Sequence, residues 1–275
     1  MKKEEIKREV RIRYAAVAEG KSSCCDSVFD CCSGGDAKPE VSRAMGYSPK
    51  EIESVPAGSD LGLGCGNPTA LADLGEGESV LDLGSGGGFD CFLAAQKVGK
   101  SGRVVGVDMT VEMIDRAREN AALGGMENVE FRLGEIENLP AADNSFDKVI
   151  SNCVINLSTD KVRVFGEIHR VLKPGGKFII SDIVLESPLP DKVRESAEAY
   201  SACIAGALQK EEYLQIIGEA GFTDIIVEKE SRFPLTSIIS DDSLRLIETT
   251  LGISTAEFKG TADSILSVTV SGRKQ

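Results

Sequence analysis

Eight cysteines, at positions 24, 25, 31, 32, 65, 91, 153 and 203, stand in this chain beside a single histidine, His169, and no tryptophan. A thiolate serves as a nucleophile, as a redox partner of a second thiol, or as a ligand for a soft centre. Imidazole is the commonest general base and a usual ligand of catalytic zinc, so one histidine is little from which to build a zinc hydrolase or a histidine-based acid–base enzyme. Thiol is the abundant reactive group. Four thiols fall as two doublets in "KSSCCDSVFDCCSGGDAKPE", and four are scattered further along. In a reducing cytosol such thiols bind metals, act in catalysis or lie buried, rather than pairing in a structural framework. Adjacent cysteines are poorly placed to hold one tetrahedral ion together, and the usual C-x₂₋₄-C spacing is absent. A small zinc or copper knot is therefore only the rival reading of the doublets.

Two glycine-rich stretches carry the second kind of chemistry. In "LDLGSGGGFD" the glycines fall at 84, 86 and 88, directly after an apolar run, and Asp82 precedes them. The order is G-x-G-x-G; a dinucleotide fingerprint would need a glycine at 89, where the chain has Phe89. Twenty residues beyond Gly88, "GRVVGVD" ends in Asp108, where a carboxylate can accept hydrogen bonds from both hydroxyls of a ribose. The earlier stretch, "LGLGCGNPTA", follows "VPAGSD", which reads as loop, and Pro68 and Thr69 separate it from the helical "ALADLG". With neither a feeding strand nor an adjoining helix N-terminus expected, it reads as a bendable mount for Cys65 and not as a second nucleotide loop.

These residues need elements to position them. Residues 3 to 19 read as an amphipathic helix with Gly20 as its stop, and "SPKEIESVP" as a short helix begun by Ser48 with Pro49 in its first turn. From Ser79, strands ("SVLDLG", "GRVVGVD", "NVEFRLG", "FDKVISN", "GKFIISD") alternate with helices ("CFLAAQKV", one capped by Thr110, and "VRVFGEIHRV" closed by a Pro-Gly-Gly turn). That rhythm predicts an α/β fold: a mostly parallel sheet covered on both faces. After Asp182 come a helical insertion, "PDKVRESAEAYSACIAGALQ", then a helix, and strands "TDIIVEK" and "SILSVTVSG". The expected division is an arm over residues 1–70, a cofactor domain over 71–185, and a capping insertion with completion of the sheet over 186–275. Cys153 follows the fourth strand directly, at the carboxyl edge where ligands of open α/β sheets sit, and Cys203 lies on the insertion expected to cap that crevice. Cys65, Cys153 and Cys203 are thus candidates to converge. Cys91 reads as a small core residue, and His169 as a surface or capping residue.

Composition narrows the partners. A net charge of −13 over 275 residues argues against nucleic acid and anionic membranes. No apolar run approaches the roughly 20 residues of a membrane span, and "MKKEEIKREV" lacks the apolar stretch of a signal peptide, so a cytoplasmic location is expected.

The glycine loop, the acidic strand end and "LKPGG" together resemble the class I S-adenosylmethionine-dependent methyltransferases over roughly Ser79 to Asp182. That resemblance implies a Rossmann-like sheet, with Asp82, Gly84, Gly86, Gly88 and Asn152 at the methionine end of the cofactor and Asp108 at its ribose. Met109, Glu135 and Ile136 would then meet the adenine. More of the chain, through "GLGCGNPTALA", "VLDLGSGGGFDCFLAA", "GVDMT", "GEIENLP", "SNCVINL" and "AGAL", resembles the arsenite methyltransferase family. The resemblance implies that Cys65, Cys153 and Cys203 bind As(III) and that a further N-terminal cysteine, Cys24 or Cys25, takes part in turnover. Arsenite and methylarsenite would be the substrates, S-adenosylmethionine the methyl donor, and a thiol reductant or thioredoxin the source of electrons. The chemistry agrees, because As(III) is soft and thiophilic and arsenous acid is neutral, so an acidic protein can capture it. A methyltransferase of another small acceptor, and a thiol-based metalloid binder without turnover, are the competing functions.

Overall fold

A computed structural model describes residues 3–21, 38–233 and 254–275. The doublets Cys24-Cys25 and Cys31-Cys32 lie outside these residues. Among the described residues seven strands form one sheet: β1 (Ser79–Leu83), β2 (Arg103–Asp108), β3 (Val129–Leu133), β4 (Phe146–Asn152), β5 (Leu172–Leu185), β6 (Phe222–Arg232) and β7 (Ile265–Lys274). Their order is β3-β2-β1-β4-β5-β7-β6. The first five pair in parallel, and β7 runs antiparallel between β5 and β6. The chain order reverses between β1 and β4, and a crevice opens at the carboxyl ends of strands on either side of such a switch point.

Helices cover both faces. On one, α5 (Phe89–Val98) and α6 (Val111–Gly124) bury Phe92, Ala94, Ile114 and Ala117 against Val80, Val104 and Ile179. On the other, α7 (Lys161–Val171) and α10 (Lys210–Glu219) bury Phe165, Ile168, Tyr213 and Ile217 against Leu81, Val149 and Phe178. The central strands β1 and β2 are largely apolar because both of their faces are covered, whereas the edge strands β3 and β6 carry exposed charged residues. Ahead of the sheet come α1 (Lys3–Ala18), α2 (Lys38–Ala44), α3 (Pro49–Ser54) and α4 (Pro68–Leu71); α8 (Asp191–Arg194) and α9 (Ala197–Ser201) precede α10, and α11 (Thr255–Asp263) precedes β7. Ser48 and Glu51 close α3 with a reciprocal capping box, as the sequence expects.

Two local expectations are revised, the start of α4 and the turn at "LKPGG". Helix α4 begins at Pro68, directly behind the first glycine stretch, because the Asn67 side chain accepts from Ala70 N and caps it. Thr110 holds the N-cap position of α6, as the sequence expects, with no side-chain cap bond. "LKPGG" is part of β5, which bulges: Phe146 pairs with Leu172, but Lys148 pairs with Lys177. The insertion is helical as expected, in the two short helices α8 and α9.

Candidate active site

The second glycine stretch leaves β1 in a left-handed turn. Gly84 has φ +70°, and a Cβ there would lie 2.3 Å from Val154, so no side chain fits. The turn is anchored on β2. Gly84 N and Ser85 N both donate to Val107 O, Gly86 N donates to Asp108 Oδ2 at 3.0 Å, and Thr110 N donates to Asp108 Oδ1 at 2.9 Å. The Thr110 hydroxyl and the Met109 amide donate to the same carboxylate. A cleft opens over this turn, and Asp82, Gly84, Gly86, Asp108, Met109, Ile136, Asn152 and Cys153 line it.

Two expected lining residues stand elsewhere. Gly88 caps α5 at φ +94°, with Phe92 and Phe131 packed where a Cβ would project, and Gly87 lines the cleft in its place. Glu135 turns to α1, where Lys7 Nζ meets it at 2.7 Å and Arg11 at 3.8 Å, and Glu137 lines the cleft instead.

Much of the wall comes from residues that local sequence pattern does not single out. Lys7, Val10 and Tyr14 of α1, with Tyr47, Asp60 and Asp90, line the cleft. So do Leu61 to Gly64, so the first glycine stretch shares the wall with the second. The apolar spacing along α1 signals a buried face but not what that face covers. Asp60 accepts from Ser42 Oγ and Gly62 N through Oδ1, while its buried Oδ2 has no partner among the described residues. Tyr47 donates to Asp90 Oδ1 at 2.7 Å.

Asn152 ties the two glycine stretches together. Its Nδ2 reaches Tyr47 Oη at 2.8 Å, Gly66 O at 2.9 Å and Asp90 Oδ2 at 3.1 Å, and its Oδ1 accepts from Cys65 N at 3.0 Å. The glycines flanking Cys65 serve this close approach and not the bendability expected of them. A Cβ on Gly64 would meet Asn152 Nδ2 at 2.7 Å, and one on Gly66 would meet Ser181 Oγ at 2.7 Å. Ser267 Oγ of β7 clamps the Cys65 carbonyl at 2.6 Å.

The three scattered cysteines then meet. Cys65 and Cys153 Sγ and a carboxylate oxygen of Asp182 lie within 4.8 Å of one another. Cys203 Sγ donates to Cys153 O at 2.9 Å, and the Cys153 thiol hydrogen-bonds the thiols of Cys65 and Cys203. Cys153 has φ +59° and Cys203 φ +62°, left-handed conformations that cost a side-chain-bearing residue about 1 kcal/mol or more and recur at functional sites. All four groups are buried; Cys153, the most exposed, reaches 7% and alone also lines the cleft. Asp182 accepts from Asn156 Nδ2 and Ile183 N through Oδ1 and from Tyr213 Oη through Oδ2. Cys91 stands apart in the core, its Sγ donating to Asp82 Oδ2 at 3.2 Å. His169 is half-buried with its ring edge-on to Phe222.

A methyltransferase-domain family model matches residues 74–221. The chain is 49% identical to the arsenite methyltransferase of Halobacterium salinarum over 86% of its own length and 62% of that protein's. It superposes with a TM-score of 0.62 on CrArsM, an arsenic(III) S-adenosylmethionine methyltransferase from Chlamydomonas reinhardtii, at 36% identity over 86% of this chain and 74% of that one. The chain belongs to the arsenite methyltransferase family. Its fold is that of the class I methyltransferases, shared also with the YcgJ protein of Bacillus subtilis at 21% identity and a TM-score of 0.59. The human arsenite methyltransferase is 40% identical over 52% of this chain and 40% of its own length. The chain thus spans less than two thirds of the curated relatives it matches most extensively.

Electrostatics divide this family member's site in two. Burial pushes Asp82 well up and raises Asp108, and it raises Asp90 to about 6 against the lowering pull of Tyr47. Tyr47 is pushed well up by burial and then by Asp90. Around the thiols, burial lifts Cys65. The hydrogen bond to Cys203 pulls Cys153 down, but Cys65 and burial outweigh it and drive it well up; Cys203 is driven well up by Cys153 and then burial. The resting site therefore holds thiols at neutral pH. Burial raises Asp182 to about 7. Lys161, whose charge acts on Asp182 and Cys203, is lowered by burial. No helix among the described residues is long and apolar enough to cross a membrane.

Proposed function

We propose that this chain methylates trivalent arsenic held by Cys65, Cys153 and Cys203, taking the methyl group from S-adenosylmethionine. The observation that carries this reading is the meeting of three buried thiols, from three distant segments, at a cleft built on a methyltransferase glycine loop. The cleft suits the donor. Asp108 lines it at the end of β2, where its carboxylate can meet a ribose diol, and Gly84 to Gly87 present backbone without side-chain obstruction apart from Ser85. Asp60, Asp82 and Asp90 make an acidic wall for a cationic ligand, with Asp60 Oδ2 unpartnered among the described residues. When bound, the donor supplies an electrophilic methyl group on a sulfonium.

The chain's own residues do the rest. Arsenous acid exchanges each hydroxide for a cysteine sulfur, and each thiol proton leaves with that hydroxide as water, so thiols rather than thiolates suffice. Cys153, shared by cluster and cleft, orients the arsenic lone pair toward the cleft; this is alignment catalysis, with no demand for a general base. Methylation raises arsenic formally from +3 to +5, and two thiols return it to +3 as they form a disulfide. Cys24 or Cys25 would be one of them, and a thiol reductant or thioredoxin would reopen the disulfide in a reducing, cytoplasmic compartment. In this reading residues 1–70 serve as an arm, 71–185 as the donor domain and 186–275 as the cap that carries Cys203.

Incubation with arsenite, labelled S-adenosylmethionine and a thiol reductant, followed by separation of arsenic species, is expected to yield methylarsenicals. Cys153→Ser and Cys203→Ser should each lower kcat/KM on arsenite and methylarsenite at least about 100-fold, some 2.7 kcal/mol of transition-state stabilisation. Loss of Cys65 or of the N-terminal thiol should spare part of the activity on methylarsenite, which needs fewer sulfur ligands. A folded protein that binds the donor yet forms no methylarsenical would overturn the reading.

A further inference from the structure

We infer that the thiol cluster is also a closed site for a divalent d¹⁰ cation, Zn²⁺, with Asp182 as its oxygen ligand. The cation site stands on the geometry alone; its competition with arsenic rests on the function proposed above.

Three-coordinate arsenic on three sulfurs leaves Asp182 without a task. Yet this carboxylate is wholly buried and has an oxygen within 4.8 Å of both Cys65 and Cys153 Sγ. Tetrahedral zinc binds sulfur at about 2.3 Å and carboxylate oxygen at about 2.0–2.2 Å, so its ligands sit on the order of 3.5–3.8 Å apart. Small side-chain rotations close the difference. Cys203, whose Sγ donates to the Cys153 carbonyl at 2.9 Å, lies outside that 4.8 Å group and supplies the fourth ligand by turning its thiol inward. Carboxylate oxygen is a poor partner for a soft arsenic centre and an ordinary one for zinc.

The surroundings fit an ion ligand. Asn156 Nδ2 and the Ile183 amide donate to Oδ1 at 2.9 and 3.0 Å, and the Tyr213 hydroxyl donates to Oδ2 at 3.2 Å. Such partners orient a ligating carboxylate and tune its basicity. Three thiolates and a carboxylate carry four negative charges; the cation and Lys161, which lies in the field of Asp182 and Cys203, offset three. The thiol protons leave to solvent. With all four positions filled by protein, the ion has no open coordination site, so bound zinc blocks the cluster and does no chemistry.

Cobalt(II) and cadmium(II) report on the site through thiolate-to-metal charge-transfer absorption, in a spectrum free of tryptophan. In the 275-residue chain with Cys24, Cys25, Cys31 and Cys32 changed to serine, one equivalent of either ion should bind with that signature. X-ray absorption at the zinc edge should return three sulfurs and one light ligand. Asp182→Asn should weaken zinc about 10- to 100-fold, at least tenfold more than it weakens arsenite. Arsenite should release the bound zinc stoichiometrically. No charge-transfer band, a shell of light ligands only, or equal zinc affinity in Asp182→Asn would each overturn the cation site. If the asparagine variant fails to fold, the zinc-edge measurement on the aspartate-bearing protein still decides whether the site exists. Zinc that binds with the expected shell but is not displaced by arsenite supports the cation site and counts against the arsenic site.

Discussion

Asn152 sits where donor cleft and thiol cluster meet, and its worth lies in having both a donor and an acceptor end. The amide end holds Tyr47, Asp90 and Gly66, and the carbonyl end holds the Cys65 backbone. Asn152→Leu would strand the Cys65 N–H and remove a donor from the buried Asp90 carboxylate. An unsatisfied buried group costs about 1–3 kcal/mol, so a loss of about 2–4 kcal/mol in urea unfolding is expected. Arsenite affinity should fall with it, because Cys65 loses its anchor. A variant with unchanged arsenite affinity would show that Ser267 alone holds the loop.

At the scale of elements, α1 does more than shield a hydrophobic surface. It packs on α6 and α9, and its Lys7, Val10 and Tyr14 form one wall of the cleft. Lys7 bridges to Glu135 and Glu137, Arg13 donates to Ser201 Oγ, and the Tyr14 hydroxyl reaches the Cys203 thiol. One helix therefore touches both halves of the site. Val10 is 1% exposed, so Val10→Asp buries an unpaired charge in that wall. Calorimetric titration should show S-adenosylmethionine affinity reduced at least about tenfold, roughly 1.4 kcal/mol. Unchanged affinity in a folded variant would remove α1 from the donor site.

The whole molecule carries net charge −13 and still buries carboxyls beside its cleft. Asp90 at about 6 and Asp182 at about 7 are raised by burial above the unfolded carboxylate, as are Asp82 and Asp108. A raised acid binds its proton more tightly folded than unfolded, so its stabilising contribution is full below the unfolded value and is lost as pH rises through the folded one. Glu130, Asp147, Glu167 and Glu228 are lowered, and their contribution is lost only on acidification below the ordinary carboxylate range. His169, lowered by burial, opposes the trend weakly. Between pH 5 and pH 8 the ligand-free protein should therefore lose stability, on the order of 2–4 kcal/mol at about 1.4 kcal/mol per unit. Urea midpoints across that range check it, and Asp182→Asn should flatten the upper part of the slope. A midpoint that rises with pH would contradict the buried-acid account.

The α/β alternation, the glycine turn after β1, the acid closing β2 and the thiols at 65, 153 and 203 were legible in the chain, because each rests on local pattern or on a strand end. A turn that must reach φ +70° beneath Val154 writes its glycine into the sequence wherever it occurs. Other features exist only through long-range packing. Parallel pairing of β4 with β5 brings Asp182 to the cysteines, and the seating of α1 turns Glu135 out of the cleft and leaves Glu137 in it. Gly64 and Gly66 looked like flexibility and proved to be clearance for Asn152 and Ser181, residues more than eighty positions away. Periodicity and turn chemistry act over a few residues, whereas a buried site is assembled from strand ends whose adjacency is decided by how the sheet is ordered.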